Sequence, residues 1–189
     1  MTIFLILAPY GSFAALMLVT SAAVSLFVSA AICLMVVGYD AIRGRTIKWL
    51  GAGSAMLFLG LGCAITLFDA GLSASAVKLS VDAGMLMIAL ASLAVRRPFT
   101  LQYAREMVDA ETAATPGFVK ANYVITGAWS VAFALMVLAN LLLIYIPGLP
   151  LWLGLLVAFA ARNTALYYTK WYPDYRRAKS VTAAASADV

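Results

Sequence analysis

The sequence predicts an all-α membrane protein, a five-helix transmembrane bundle with a short N-terminal segment that is interfacial or partly inserted. Two observations support this fold class. The 189 residues are 65% hydrophobic and only 11% charged, whereas a soluble domain carries about 25% charged residues. Several uncharged runs are also longer than about 18 residues, enough to cross about 30 Å of hydrocarbon as helices.

The N-terminal region is uncharged from its start to Tyr39. A single helix of that length would be nearly twice as long as a bilayer core is thick. Pro9 and Gly11 both disfavour a helix interior, so we predict a break there. Residues 2–10 then form the short N-terminal segment, and span 1 covers about residues 13–38.

Small residues mark the first two predicted spans as close-packing helices, because small side chains let helix backbones approach each other. Span 1 carries serines at four-residue spacing, Ser21, Ser25 and Ser29. Span 2 covers about residues 49–68, with glycines at Gly51, Gly53, Gly60 and Gly62.

The three remaining spans follow in order along one transmembrane domain, residues 1–175. Span 3 covers about 75–95 and ends at "RRP". Span 4 covers about 121–146, and span 5 covers about 150–172 after the turn "PGLP". The small, polar C-terminal stretch that remains, residues 176–189, predicts a flexible cytoplasmic tail.

Between spans 3 and 4, residues 99–118 predict a cytoplasmic amphipathic connector. Phe99, Tyr103 and Met107 recur at four-residue intervals and share one helical face, which is typical of a helix lying on a membrane surface. The acidic residues of the connector are assigned to its solvated side: Glu106, Asp109 and Glu111.

The formal net charge of +5 comes from basic residues in three clusters. These are Arg43, Arg45 and Lys48; Arg96, Arg97, Arg105 and Lys120; and Lys170, Arg176, Arg177 and Lys179. Five spans place all three clusters on one side of the membrane, which by the positive-inside rule is the cytoplasmic side. We therefore expect the N-terminus outside, the C-terminus inside, and no nucleic-acid partner.

Polar residues within the spans form a candidate intramembrane site. Arg162 lies near the middle of span 5, where an arginine costs about 2.5–3.5 kcal/mol to insert. Asn163 is adjacent, and Asn140 lies in span 4. Lys78 and Asp82 are one helical turn apart in span 3, and Asp82 is expected to face either Arg162 or Lys78.

Several classes of catalytic and binding site are excluded by what the sequence lacks. It has no histidine, which removes His-ligated haem and histidine metal sites. Phosphate-binding, dinucleotide-binding, zinc-protease and serine-hydrolase motifs are absent as well. Cys33 and Cys63 fall within predicted spans and are expected to be small apolar residues. The chain is predicted to be no enzyme and to have no catalytic, cofactor or metal site.

The order of these features resembles the intracellular septation protein A family of bacterial inner-membrane proteins. The resemblance is carried by "LAPYGSF", the basic first loop, "RRPF" with Glu106, and above all "WSVAFALMVLAN" from Trp129 to Asn140. Lys120 and Asn122 resemble the lead-in to that last motif. Asp82 and Arg162 have no counterpart in the family pattern.

This resemblance implies a multi-pass protein of the bacterial inner (cytoplasmic) membrane that acts in cell-envelope maintenance, septation and cell division through protein–protein contacts. Its expected partners are membrane lipids, other membrane proteins of the envelope or division machinery, and a second copy of the chain. Two alternatives follow from the residues themselves. One is a small transporter or channel subunit that uses Asp82 and Arg162; the other is an accessory subunit of a larger membrane complex.

Overall fold

The computed structural model describes residues 2–68 and 71–187, with side chains described for 8–68, 71–150 and 152–179. These parts of the chain are helical and contain no strand. The helices are α1 (Thr2–Leu16), α2 (Ala22–Ile42), α3 (Trp49–Leu67), α4 (Ala74–Ala94), α5 (Phe99–Ala104), α6 (Ala110–Ala114), α7 (Pro116–Tyr145) and α8 (Leu151–Ala187). Asp69 and Ala70, in the stretch "DAGLSAS" between predicted spans 2 and 3, lie outside the described residues.

Hydroxyl or carboxylate side chains cap the first turn of four of these helices, α2, α4, α6 and α7. Ser73 accepts the backbone N–H of Ala76 at the start of α4, and Thr115 accepts that of Phe118 at the start of α7. Such caps satisfy backbone donors that have no partner within the helix. The turn before α8 contains Gly148 at φ +90°, which glycine adopts without strain.

The predicted break at Pro9 is wrong, because Pro9 lies inside α1. The chain breaks later, and α2 begins at Ala22 behind Ser21, whose Oγ accepts the N–H of Val24 at 3.4 Å. Span 1 therefore starts at Ala22 rather than at residue 13.

Packing explains why α1 continues past its proline. The rings of Tyr10 and Phe13 both lie 5.5 Å from that of Phe58 on α3. This aromatic contact holds the turn after Pro9 against the bundle, while Ser12 donates its hydroxyl to the Pro9 carbonyl at 2.9 Å. Tertiary contacts have here overridden the local preference of proline.

The long helices form two groups of three that meet where α3 packs on α4. Helix α2 packs against both α1 and α3, and α7 packs against both α4 and α8. One buried cluster centres on Phe58 and Leu26 in the first group and reaches Val77 and Val81 of α4. The other centres on Met85, Trp129 and Phe133 in the second group and includes Leu50 of α3.

The small residues mostly serve close packing, as predicted. Ser25 and Ser29 are fully buried, whereas Ser21 is an exposed cap. A Cβ added at Gly51, Gly53 or Gly62 would lie 3.1–3.2 Å from a side chain of a neighbouring helix. Gly60 was wrongly included, because a Cβ there would meet no atom within 4 Å.

The connector is not the single surface helix that the sequence predicted. It consists of α5, a 3₁₀ turn over Arg105–Met107, and α6. Phe99 is buried and Tyr103 half-buried, but Met107 is exposed. Thr100 ties α5 into the bundle, because its hydroxyl donates to the Asn122 carbonyl at 2.9 Å and contacts the Thr126 hydroxyl at 2.7 Å.

The three basic clusters meet at one end of the bundle, called here the basic end. Lys48, after α2, lies 3.1 Å from Glu106 of the connector. A Cβ at Gly117, the second residue of α7, would lie 3.6 Å from Nη2 of Arg176 in α8. The first turns of α4 and α8 therefore lie at the opposite end, together with the last turn of α7.

Four of the described helices are long and apolar enough to cross a membrane: α2, α3, α4 and α7. They indicate a multi-pass membrane protein. Helix α8 spans 37 residues, but its mid-helix Arg162 and Asn163 make it more polar than those four. The tail expected to be flexible from residue 176 is helical through Ala187, and residues 188–189 lie outside the described chain.

Candidate functional site

A cavity of about 560 Å³ lies between the two helix groups. Its walls come from α1, α3, α4, α7, α8 and the first residue of α5. Four of the five candidate polar residues from the predicted intramembrane site line it: Lys78, Asp82, Asn140 and Arg162. The remaining lining residues are mostly aromatic and aliphatic, so these side chains form a polar patch within an apolar wall.

Asp82 and Asn140 are the directly bonded pair of this patch. Nδ2 of Asn140 donates to Oδ2 of Asp82 at 2.8 Å and also to the Met136 carbonyl at 3.0 Å. Asn140 is buried and Asp82 is half-buried. The amide thus holds the carboxylate against α7.

The two cations of the patch are not bridged to that carboxylate. Within the described residues, neither Lys78 nor Arg162 comes within 4.0 Å of an Asp82 oxygen, although both line the same cavity. Asp82 was expected to face Arg162 or Lys78, and Asn140 is its hydrogen-bond partner instead. Both cations are half-buried and line the cavity, and neither charge is neutralised by direct contact with the Asp82 carboxylate.

Asn163, the fifth candidate polar residue, and Trp129, the first residue of the family motif, have different roles. Asn163 is exposed, and its amide donates to the Phe159 carbonyl of its own helix at 2.7 Å, so it does not join the patch. Trp129 does line the cavity, and its indole N–H donates to the Thr169 hydroxyl at 3.0 Å. That bond links α7 to α8 and fixes one wall of the cavity.

The cavity opens to the outside along one face of α8. Trp152, Leu155 and Phe159 line it at helical spacing, yet Trp152 is 61% and Phe159 62% exposed. Exposed Ala14 of α1 lines it as well. The opening of the cavity is therefore bordered by exposed apolar side chains of α8 and α1.

A second cavity of about 530 Å³ lies between α1, α2, α3 and α5, towards the basic end. Cys33, Asp40, Arg45 and Lys48 line it. Tyr10 and Leu50 line both cavities. The Tyr10 hydroxyl also bonds the hydroxyl of Ser54, which lines the second cavity. Tyr10 therefore stands between the two cavities.

The basic end contains an ion cluster that the sequence did not predict. Nζ of Lys48 lies 2.6 Å from Asp40 and 3.1 Å from Glu106, and only 4% of the lysine side chain is exposed. The same amine lies 5.2 Å from the centre of the Tyr103 ring, within cation–π range. Glu106 is exposed, in keeping with the solvated face that the sequence predicts, but its carboxylate also pairs with Lys48. The sequence predicts Lys48 only as part of the positive-inside pattern.

Burial in this cluster raises the pKa of the Tyr103 phenol well above its usual range, and the nearby Asp40 carboxylate adds to the effect. The signal that could have revealed the cluster is the acidic residue at the end of α2, in "YDAIRGRTIK". An acid at the end of an otherwise uncharged helix needs a cation close by. Sequence alone does not show which of the neighbouring cations that is.

No group of three or more metal-ligating side chains is present among the residues that the structure describes. A scan against protein-family models gave no match, and searches of curated proteins and of solved structures gave none either. The resemblance to the septation protein A family therefore stays a prediction from the quoted motifs. The geometry of the first cavity is the strongest guide to function.

Proposed function

We propose that this protein is a small transporter or channel subunit of the membrane, which holds its solute at Lys78, Asp82, Asn140 and Arg162. One observation carries the proposal: polar side chains from α4, α7 and α8 converge on one cavity between the two helix groups. A bundle that acted only through its outer faces would gain nothing from placing two unbridged cations inside. Intramembrane charges that face a cavity typically mark a substrate or ion pathway.

The second cavity supports a pathway through the bundle. The first cavity reaches the end opposite the basic clusters through Ser75 and Lys78, and the second reaches the basic end through Arg45. Tyr10 and Leu50 line both. In this proposal the Tyr10–Ser54 contact is the barrier between two half-paths, and its opening connects them.

Cys33 provides a direct test, because it lines the second cavity beyond Tyr10. Cys63 is exposed, and the variant Cys63→Ser leaves Cys33 as the single thiol of this chain. A membrane-impermeant thiol reagent is added to sealed vesicles from the Lys78 side. We expect slow labelling of Cys33 with Tyr10 present, and labelling at least about tenfold faster in Tyr10→Ala.

Two controls make the result specific. Tyr10→Phe keeps the ring but loses the hydroxyl contact, so it should label at a rate between the other two. Phe27→Ala changes a ring of similar size outside both cavities and should leave the rate unchanged. Equal labelling in Tyr10→Ala and the Tyr10 protein would contradict the pathway.

We further propose the membrane arrangement of the chain: five spans in the bacterial inner membrane, with α8 as the fifth and the basic end in the cytoplasm. Helix α1, about 22 Å long by its residue count, is too short to cross about 30 Å and inserts part of the way. Reporter fusions at Ser73, Ala114 and Ala185 should read outside, inside and inside. An outside signal at Ala185 would mean that α8 does not cross.

The family resemblance supports a second candidate function, in envelope maintenance and septation through partner proteins. Both ends of its most specific motif, Trp129 and Asn140, line the first cavity. Under this proposal, cells that lack the protein should form filaments, and the protein should co-purify with division proteins in mild detergent. Normal cell length together with no division partner would leave only the transporter proposal.

A further inference from the structure

The first cavity is divided along its length into a charged half and an apolar half. Lys78 lies about 6 Å from the start of α4, and Arg162 about 16 Å from the start of α8, by helical rise. Both helices start at the end opposite the basic clusters, so the charged half lies towards that end. Beyond Arg162, the residues Trp129, Phe99 and Leu50 line the apolar half towards the basic end, whereas Met85 lies level with Arg162 by the same measure.

The charge of the first half is not balanced by the protein. Lys78 and Arg162 are two cations, and among the residues that the structure describes Asp82 is the one acid that lines the cavity. Even when ionised, Asp82 offsets a single positive charge, and Asn140 already occupies one of its oxygens at 2.8 Å. A half-buried, unbridged cation in a membrane protein is costly, and an anionic group on a ligand would reduce that cost.

The cavity as a whole has the dimensions and the access of a chain-binding site. Trp129 lies about 16 Å from Asn140 along α7, and the volume of about 560 Å³ falls within the range of small-molecule pockets. The cavity also opens past the exposed side chains of Trp152 and Phe159. A molecule dissolved in the bilayer can therefore enter from the side.

We propose that the cavity binds an anionic single-chain amphiphile, with its carboxylate or phosphate at Lys78 and Arg162 and its acyl chain extended towards Trp129. This inference rests on the proposed function and names the class of its solute. The apolar half, which extends from Arg162 towards the basic end, has room for one acyl chain. Asp82 acts in this site as a negative charge beside the two cations, and it limits how tightly the anionic group is held.

Tryptophan quenching tests the inference directly, because bromine quenches an indole on contact. The variant Trp49→Phe, Trp152→Phe and Trp171→Phe leaves Trp129 as the single tryptophan. The protein is placed in nanodiscs and titrated with three brominated chains of equal length: a carboxylate, an alcohol and an amine. We expect saturable quenching by the carboxylate at a concentration at least about tenfold lower than by the amine.

Charge variants assign the selectivity to the named residues. Lys78→Gln with Arg162→Gln should weaken carboxylate quenching by about tenfold or more, since a hydrogen bond to a charged group typically contributes that much. The alcohol curve should not move. Asp82→Asn should tighten carboxylate quenching. The matched control removes two exposed cations of the basic end, Arg96→Gln and Lys120→Gln, and should change nothing.

Unbrominated competitors identify the anionic group. Stearate and a lysophosphatidic acid should each relieve the quenching, and the stronger competitor shows whether carboxylate or phosphate is preferred. Equal quenching by all three brominated chains, or no effect of the double variant, would overturn the inference. Labelling of Cys33 uses no amphiphile, so a failure of this experiment is distinguishable from a failure of the proposed pathway.

Discussion

Two groups of buried charges in this protein are built in opposite ways. At the basic end, Lys48 lies within 3.1 Å of two carboxylates and is almost fully buried. In the first cavity, Lys78 and Arg162 share one carboxylate that neither contacts, and both remain half-buried. Within the described part of the chain, the protein itself supplies carboxylate partners within contact distance for Lys48, but it supplies none at that distance for Lys78 or Arg162.

This difference separates a structural role from a binding role. A buried charge whose partners are fixed stabilises one arrangement of the chain, because removal of one partner leaves the others uncompensated. A charge left facing a cavity costs stability and is available to a ligand. Substitutions at the two kinds of charge should therefore change the stability of the protein in opposite directions.

The largest effect is expected for Lys48→Met. This change leaves Asp40 and Glu106 without their shared cation, so it should lower the free energy of unfolding by about 3–5 kcal/mol. Unfolding in detergent measures it. Arg45→Gln is the matched control, because Arg45 is 48% exposed and 3.6 Å from Asp40, and it should cost about 0–1 kcal/mol. Equal losses in the two variants would remove the structural role of Lys48.

Arg162→Gln is expected to act in the opposite direction. It removes an unbridged cation whose insertion costs about 2.5–3.5 kcal/mol at a helix centre, so the ligand-free protein should become more stable by about 1–2 kcal/mol. Lys78→Gln, nearer the end of its helix, should give a smaller gain. Thermal unfolding of delipidated protein makes the comparison. A loss as large as that of Lys48→Met would show that Arg162 is structurally paired.

Asn140→Leu should cost less, about 0.6–1.7 kcal/mol, which is the range of intramembrane hydrogen bonds. A double-mutant cycle with Asp82→Asn should show coupling, since the two side chains are bonded at 2.8 Å. The parallel cycle of Asp82→Asn with Arg162→Gln should show weaker coupling. The reverse order would restore the direct ion pair that the sequence suggested.

The smallest effect concerns pH and Tyr103→Phe. The pKa of Tyr103 is raised in the folded protein, whereas a phenol in the unfolded chain has a pKa of about 10. The unfolded chain therefore loses this proton first. Relative to Tyr103→Phe, the protein should keep constant stability below about pH 10 and lose stability as the pH rises from there towards the folded-state pKa. If the difference in unfolding free energy between the two proteins were the same at every pH, the Tyr103 phenol would have the same pKa in the folded and unfolded states, as a solvent-exposed phenol does.

The sequence by itself determined the four long apolar helices and the turn before α8. Long apolar runs define α2, α3, α4 and α7, and "PGLP", which contains Gly148, marks that turn. These features depend on residues that are close together in the sequence, so they can be predicted without knowledge of the tertiary contacts. The polar residues Lys78, Asp82, Asn140 and Arg162 were also identified in this way, because each interrupts an apolar run.

Only the tertiary structure decided which of these residues meet. It joined Asp82 to Asn140 rather than to a cation, left Asn163 bonded to its own helix, and gave Lys48 its two carboxylates. It also kept α1 helical through Pro9. In each case the outcome depends on how helices distant in sequence rotate and pack against one another. Contacts between helices decide that rotation, and the helical pattern of any single segment does not specify it.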